Sequence, residues 1–208
     1  MKTIIKHQLG AGGEFINGLL LDLNLEADEN NAYSVGPKRK LHPPILGRDE
    51  ESENQLRMHP RTLLTMYQQW DIIEDYSCLH WWHLAAMLRL KRMGVNKVVI
   101  INDDTGQADL LFWHKKLKAK EYSLEQGMDF IERWNQKLIE LEKYTVEYCK
   151  LIFDTAIFTY DKLFTEEGIQ QMFEHVGKQY KDEYYEIVKD YKLRNDAIIA
   201  LYSKGSRD

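Results

Sequence analysis

The stretch Lys2–Asn24, KTIIKHQLGAGGEFINGLLLDLN, decides the fold. Thr3, Ile4 and Ile5 are strand formers, and the run through Leu9 reads as a buried strand. Gly10, Gly12 and Gly13 then break it, since three glycines in four positions permit backbone angles that other residues avoid. Phe15, Ile16, Leu19, Leu20 and Leu23 recur at helical spacing, which predicts a helix starting near Gly13. A strand, a glycine turn and a helix in that order can hold phosphate, because the free N–H groups of the first helical turn and the helix dipole both favour an anion there. The Walker pattern closes its loop with Lys and then Ser or Thr. Here Glu14 stands beyond the glycines, and a carboxylate in that place repels phosphate unless it points away. Two readings follow from the stretch, an anion site and plain strand–helix packing.

Working outward, residues 25–57 form a long polar segment with Gly36, Pro37, Pro43, Pro44 and Gly47, a basic cluster at Lys38–Lys40 and an acidic one at Asp49–Glu51. A connection of that length is a lid, a binding loop or a solvated excursion. Pro60 suits the first turn of a helix over Arg61–Gln69. Asp71–Leu79 reads as a second strand ending at His80, followed by a helix to Met93 that Gly94 stops. Val95–Ile101 is an unbroken β-branched run, as in a strand covered on both faces. Asn102–Gly106 is a turn and Ala108–Lys118 a helix. A long helix is predicted over Leu124–Tyr148, and Lys150–Phe153 with Ile157–Tyr160 read as a further strand or a broken pair. Thr165 caps a helix that Gly177 ends, and the last helix, about Lys181 to Leu201, carries Tyr184, Tyr185, Val188 and Tyr191 as a stripe. Strands alternating with helices predict one α/β domain over residues 1–208 with a mainly parallel sheet and C-terminal helices. Ligands of such sheets sit outside the carboxyl ends of the strands, which puts Gly10–Gly13, His80 and Asn102–Thr105 along one rim.

Composition narrows the function classes. The chain of 208 residues, 44% hydrophobic and 29% charged, has an ordinary globular make-up, and 12% aromatic residues argue against disorder. A net charge of −5 gives no global attraction to nucleic acid or anionic lipid. The aromatic stripe of the last helix therefore reads as core, protein-partner or homo-oligomer contact rather than a base-stacking platform. No apolar run reaches membrane-spanning length, and the interrupted N-terminal run reads as no signal peptide. Cys78 and Cys149 make no disulfide framework, so a reduced, cytoplasmic setting is expected, that of a host cell if the chain is viral.

Five residues attract a chemical reading. Cys78, His80 and His83 spell C-x-H-x-x-H, but no second cluster stands at zinc-finger spacing, and no metal is expected. His80, at a strand end, is either a general base for a hydroxyl or a satisfied core histidine. Asp103 and Asp104 suit either a magnesium ion or an Asx turn with Thr105 and Gly106. No Ser or Cys stands in a nucleophile elbow.

Several landmarks together resemble the sulfotransferase family, in particular its short phage and marine-microbial members, over most of the chain. Gly10-Ala11-Gly12-Gly13-Glu14-Phe15 stands where that family has its sulfate-binding loop, and His80 near its catalytic histidine. Val98-Val99-Ile100-Ile101-Asn102 is similar to the strand that leads to its ribose-phosphate site. Phe158-Thr159-Tyr160-Asp161-Lys162-Leu163, followed by Met172-Phe173-Glu174-His175-Val176-Gly177, is similar to its "YEdL" segment and the helix ending in "flG". The resemblance implies a three-layer, P-loop-type parallel sheet. It also implies transfer of a sulfuryl group from phosphoadenosine phosphosulfate (PAPS) to a small-molecule or glycan hydroxyl, with His80 as base. Gly10, Ala11, Gly12, Gly13, Glu14, Phe15 and Asn102 would then hold the donor. Two positions depart from the pattern: the loop lysine falls at Gly10 or Ala11, and the arginine after the third strand at Asn102 or Asp103. Arg57 and Arg61 are the substrate-binding cations that could replace them, with Lys6, Lys38–Lys40, Lys204 and Arg207 as further sources of charge. A catalytically degenerate member serving as a viral assembly or binding protein is the alternative, and a nucleotide kinase ranks behind both for want of a loop lysine.

Overall fold

The structure is a computed structural model that describes residues 2–7, 10–22, 25–27, 33–34, 76–79, 84–103, 105–118 and 145–203. The first strand, β1 (Lys2–His7), leads through the glycine turn into α1 (Gly13–Leu20). The polar segment contributes a short antiparallel pair, β2 (Glu26–Ala27) with β3 (Tyr33–Ser34). Then come β4 (Tyr76–Leu79), α2 (Leu84–Arg92), β5 (Val95–Asn102) and α3 (Gln107–Lys118). Residues 145–152 form α4, followed by β6 (Asp154–Thr159), α5 (Tyr160–Leu163), α6 (Glu166–Val176) and α7 (Asp182–Ser203). The main sheet has the order β4-β1-β5-β6 and every pairing in it is parallel. The α/β class with a parallel sheet and C-terminal helices is as the alternation of the sequence predicts.

One segment differs from its sequence reading. Residues 150–152 are helical, and the strand starts only at Asp154. Val146, Cys149 and Phe153 pack on one cluster, a spacing of three and four that suits a helix and not a strand. The Phe153 N–H donates to the Cys149 carbonyl at 2.8 Å and continues that turn. The predicted helix over 61–69 lies outside the described residues, as does residue 124 to 144 of the long one.

Strand pleating divides the core. Ile5, Val99 and Ile101 join α1 and the helices α5–α7 in one cluster, while Ile4, Val98 and Ile100 join Met87, Leu90, Cys149 and Phe153 in another. A register shift between Lys2 and Thr3, opposite Val95 and Lys97, accounts for Val95 sharing the second cluster with Val98. The buried Tyr184, Val188 and Tyr191 bring the stripe of α7 into the first cluster.

Two polar clusters fasten the C-terminal helices. At the end of α1, Lys178 Nζ donates to the Leu20 carbonyl at 2.5 Å and to Asp22 Oδ2 at 2.7 Å, and the Tyr184 hydroxyl donates to Asp22 Oδ1. The lysine thus places a cation at a helix C-terminus, where the dipole favours it. Hydrogen bonds from Lys178 and Tyr184 hold the Asp22 carboxyl below its ordinary range. Three residues before Lys178, at the amino ends of β5 and β6, His175 accepts from Lys97 through its carbonyl, and its Nδ1 lies 3.9 Å from Asp154. Thr165 Oγ1 accepts from Gly168 N–H at 3.1 Å and caps α6, which Gly177 closes with a left-handed residue. Among the described residues, no helix is long and apolar enough to cross a membrane.

The His175 cluster sets a pH dependence. Burial lowers the pKa of the ring below 6.5, with Lys97 adding to burial and the Asp154 carboxylate opposing it. The folded chain then binds fewer protons than the unfolded one, so stability is full above 6.5, falls as pH drops through it and levels off below the folded pKa. Thermal melts between about pH 7.5 and about pH 5 will show the decline in the native chain and a smaller one in His175→Gln. An equal decline in both would overturn this role.

Candidate functional site

In the described sheet, the chain leaving β1 next enters the sheet at β4 on one side, whereas the chain leaving β5 enters at β6 on the other. Adjacent parallel strands whose exits diverge leave a crevice at their carboxyl ends, the usual ligand position in open α/β sheets. Between β1 and β5 that crevice is flanked by the turn 10–13 and the loop 102–107.

The glycine turn is held from three sides. A Cβ at Gly10 would lie 1.9 Å from the Ala108 carbonyl oxygen, so the turn abuts the first turn of α3. A Cβ at Gly12 would meet Phe164 Cζ at 2.7 Å and the Tyr191 hydroxyl at 2.8 Å. A Cβ at Gly13 would fall 2.0 Å from Cδ2 of His7, whose ring is buried at the end of β1. Gly12 is also left-handed at φ 77°, a conformation costing other residues about 1 kcal/mol or more.

Beneath the turn lies an aromatic group. Phe15 stacks on Tyr191 with ring centroids 3.9 Å apart, and Phe164 leans on Tyr191 at 5.1 Å and on Tyr160 at 4.8 Å. Asn195 Nδ2 donates to the Tyr160 hydroxyl at 2.8 Å, and Asn195 also hydrogen-bonds Tyr191. Burial pushes the Tyr191 phenol up to about 12; the Asn195 bond opposes this and the Glu14 carboxylate adds to it. Burial raises Tyr160 as well, so both phenols stay neutral hydrogen-bonding groups near neutral pH.

The two helix starts at this rim differ. Gly12, the cap of α1, supplies no side-chain hydrogen bond. At α3 the anion position is filled by the chain itself: Asp103 accepts from Thr105 N–H at 2.9 Å, Thr105 Oγ1 at 2.7 Å and Ala108 N–H at 2.6 Å. Asp103 therefore forms the Asx turn rather than a magnesium ligand. On either side of that turn, Asn102 Oδ1 and Gln107 Oε1 are buried with no hydrogen-bond partner among the described residues. Among the described residues, no group of three or more His, Cys, Asp or Glu side chains is arranged for a metal ion.

Gly10, Ala11, Gly12, Gly13, Glu14 and Phe15 thus stand at one rim with Asn102. Ala11 and Phe15 are buried, and Glu14 is exposed at the start of α1. His80, Arg57 and Arg61 lie outside the described residues, as do Lys38–Lys40, Lys204 and Arg207. Lys6 is 2% exposed, one residue before the end of β1. Its strand position puts it on the face of Ile4, and its charge acts on the Cys149 thiol, which burial pushes up to about 12. His7, Gln107 and Asn195 lie near this turn or next to Tyr191 and were not singled out from the sequence as site residues, whereas Tyr191 was read there as part of the aromatic stripe of the last helix.

Comparison of the chain with protein-family models, with curated proteins and with solved structures found no match.

The contact between His7 and Gly13 gives an unusual expectation. Helix propensity alone favours Ala over Gly by about 1 kcal/mol. Gly13→Ala will instead destabilise the protein, by about 1–3 kcal/mol in denaturant unfolding, because the methyl group collides with a buried ring. Adding His7→Ala will recover part of that loss; a stabilised single variant would show that the ring does not press on the turn.

Proposed function

We propose that the protein is a sulfotransferase-like transferase that moves a sulfuryl group from an adenosine phosphosulfate donor to a hydroxyl acceptor, on a three-layer sheet of the P-loop type. PAPS is the donor that the sequence resemblance implies. The observation that carries the reading is the rim itself: an uncapped, glycine-led helix start and the end of the neighbouring strand flank one topological switch point. The first-turn amides of α1 suit the anionic end of the donor. His80 takes the acceptor proton in this proposal, and Arg57 and Arg61 contribute positive charge. The residues at the other end of the crevice fit less of PAPS. Segment 102–108 contains no basic residue, and Asp103 already fills the start of α3, so this segment itself offers the 3′-phosphate no cation.

A second reading is favoured by the packing of the turn. Each of Gly10, Gly12 and Gly13 is accounted for by contact with another part of the protein, as in a chain that kept the fold and serves as a viral assembly or binding protein.

Calorimetric titration with adenosine 5′-phosphosulfate and with PAPS, ATP being the comparison, separates these readings. A transferase will bind at least one phosphosulfate in the micromolar range, about −8 kcal/mol, and more tightly than ATP. His80→Ala will keep that binding and lose sulfuryl transfer to a hydroxyl acceptor. Preference for ATP would point to a kinase, and no heat from a folded sample would favour the binding protein.

A further inference from the structure

We draw no further inference here: the strongest candidate, the fully buried side chains of Asn17 on α1 and Thr3 on β1, whose polar atoms find no hydrogen-bond partner among the described residues, carries nothing, because nothing in the structure shows what ligand meets them.

Discussion

The closeness of the glycine turn to its neighbours governs this structure. Three backbone positions stand where a single added carbon would lie 1.9 to 2.7 Å from another element: Gly10 on α3, Gly12 on the aromatic group of α5 and α7, and Gly13 on the last residue of β1. Protein interiors are packed at crystal-like density, so contacts of this kind fix position within tenths of an ångström. Through them the turn ties the first strand, the third helix and the C-terminal helix together at one point. The far end of α1 is fixed as well, by Lys178 and Tyr184 on Asp22. A helix pinned at both ends has little freedom to rotate about its axis, and the direction of its first-turn amides is set by the fold.

That rigidity changes how the glycines are read. Glycine in such a turn either lets a ligand approach the backbone or lets the protein approach itself, and sequence alone does not separate the two. Here the space of the absent side chains belongs to protein atoms at all three positions. Gly10 and Gly12 nevertheless remain half-exposed and Glu14 exposed, so the turn is braced from below and open to the rim. Bracing that still leaves part of the backbone exposed suits backbone donors, since amides fixed in direction need not be ordered when a ligand arrives. The aromatic group and the neutral phenols of Tyr160 and Tyr191 supply that bracing without adding charge.

Much of the fold was legible because local signals agreed with the tertiary outcome. The β-branched run 95–101, the Thr165 cap, the Gly177 stop and the helix after Gly12 each rest on a backbone preference that packing reinforces. Residues 150–152 were misread because a short apolar run suits either strand or helix, and only the positions of Val146, Cys149 and Phe153 on one core cluster decide it. The rim was legible as a place: beyond the ends of β1 at His7 and β5 at Asn102 the sequence carries glycine or Asx turn chemistry. Its contents were less so. Tyr191 and Asn195 come from a helix almost 180 residues downstream of the turn, and no spacing rule links them to Gly12. Asp103 was left between metal ligand and turn former, and three hydrogen bonds within its own loop made it the latter.

Those hydrogen bonds also settle the electrostatic character of the crevice. Two helices start at this rim, and each brings N–H groups and the positive end of a dipole. At α3 the chain neutralises that end with Asp103, and the adjacent Asn102 and Gln107 contribute oxygen. At α1 it supplies only glycine, with Glu14 one position inside the helix and exposed. Among the described residues at this rim, the start of α3 is thus capped by a carboxylate, whereas the start of α1 has no side-chain cap. A loop lysine or a strand-end arginine would make both sides cationic and suit a ligand with anions at either end. With Gly10, Ala11, Asn102 and Asp103 at those places, neither the turn 10–13 nor the segment 102–107 supplies such a charge from its own sequence.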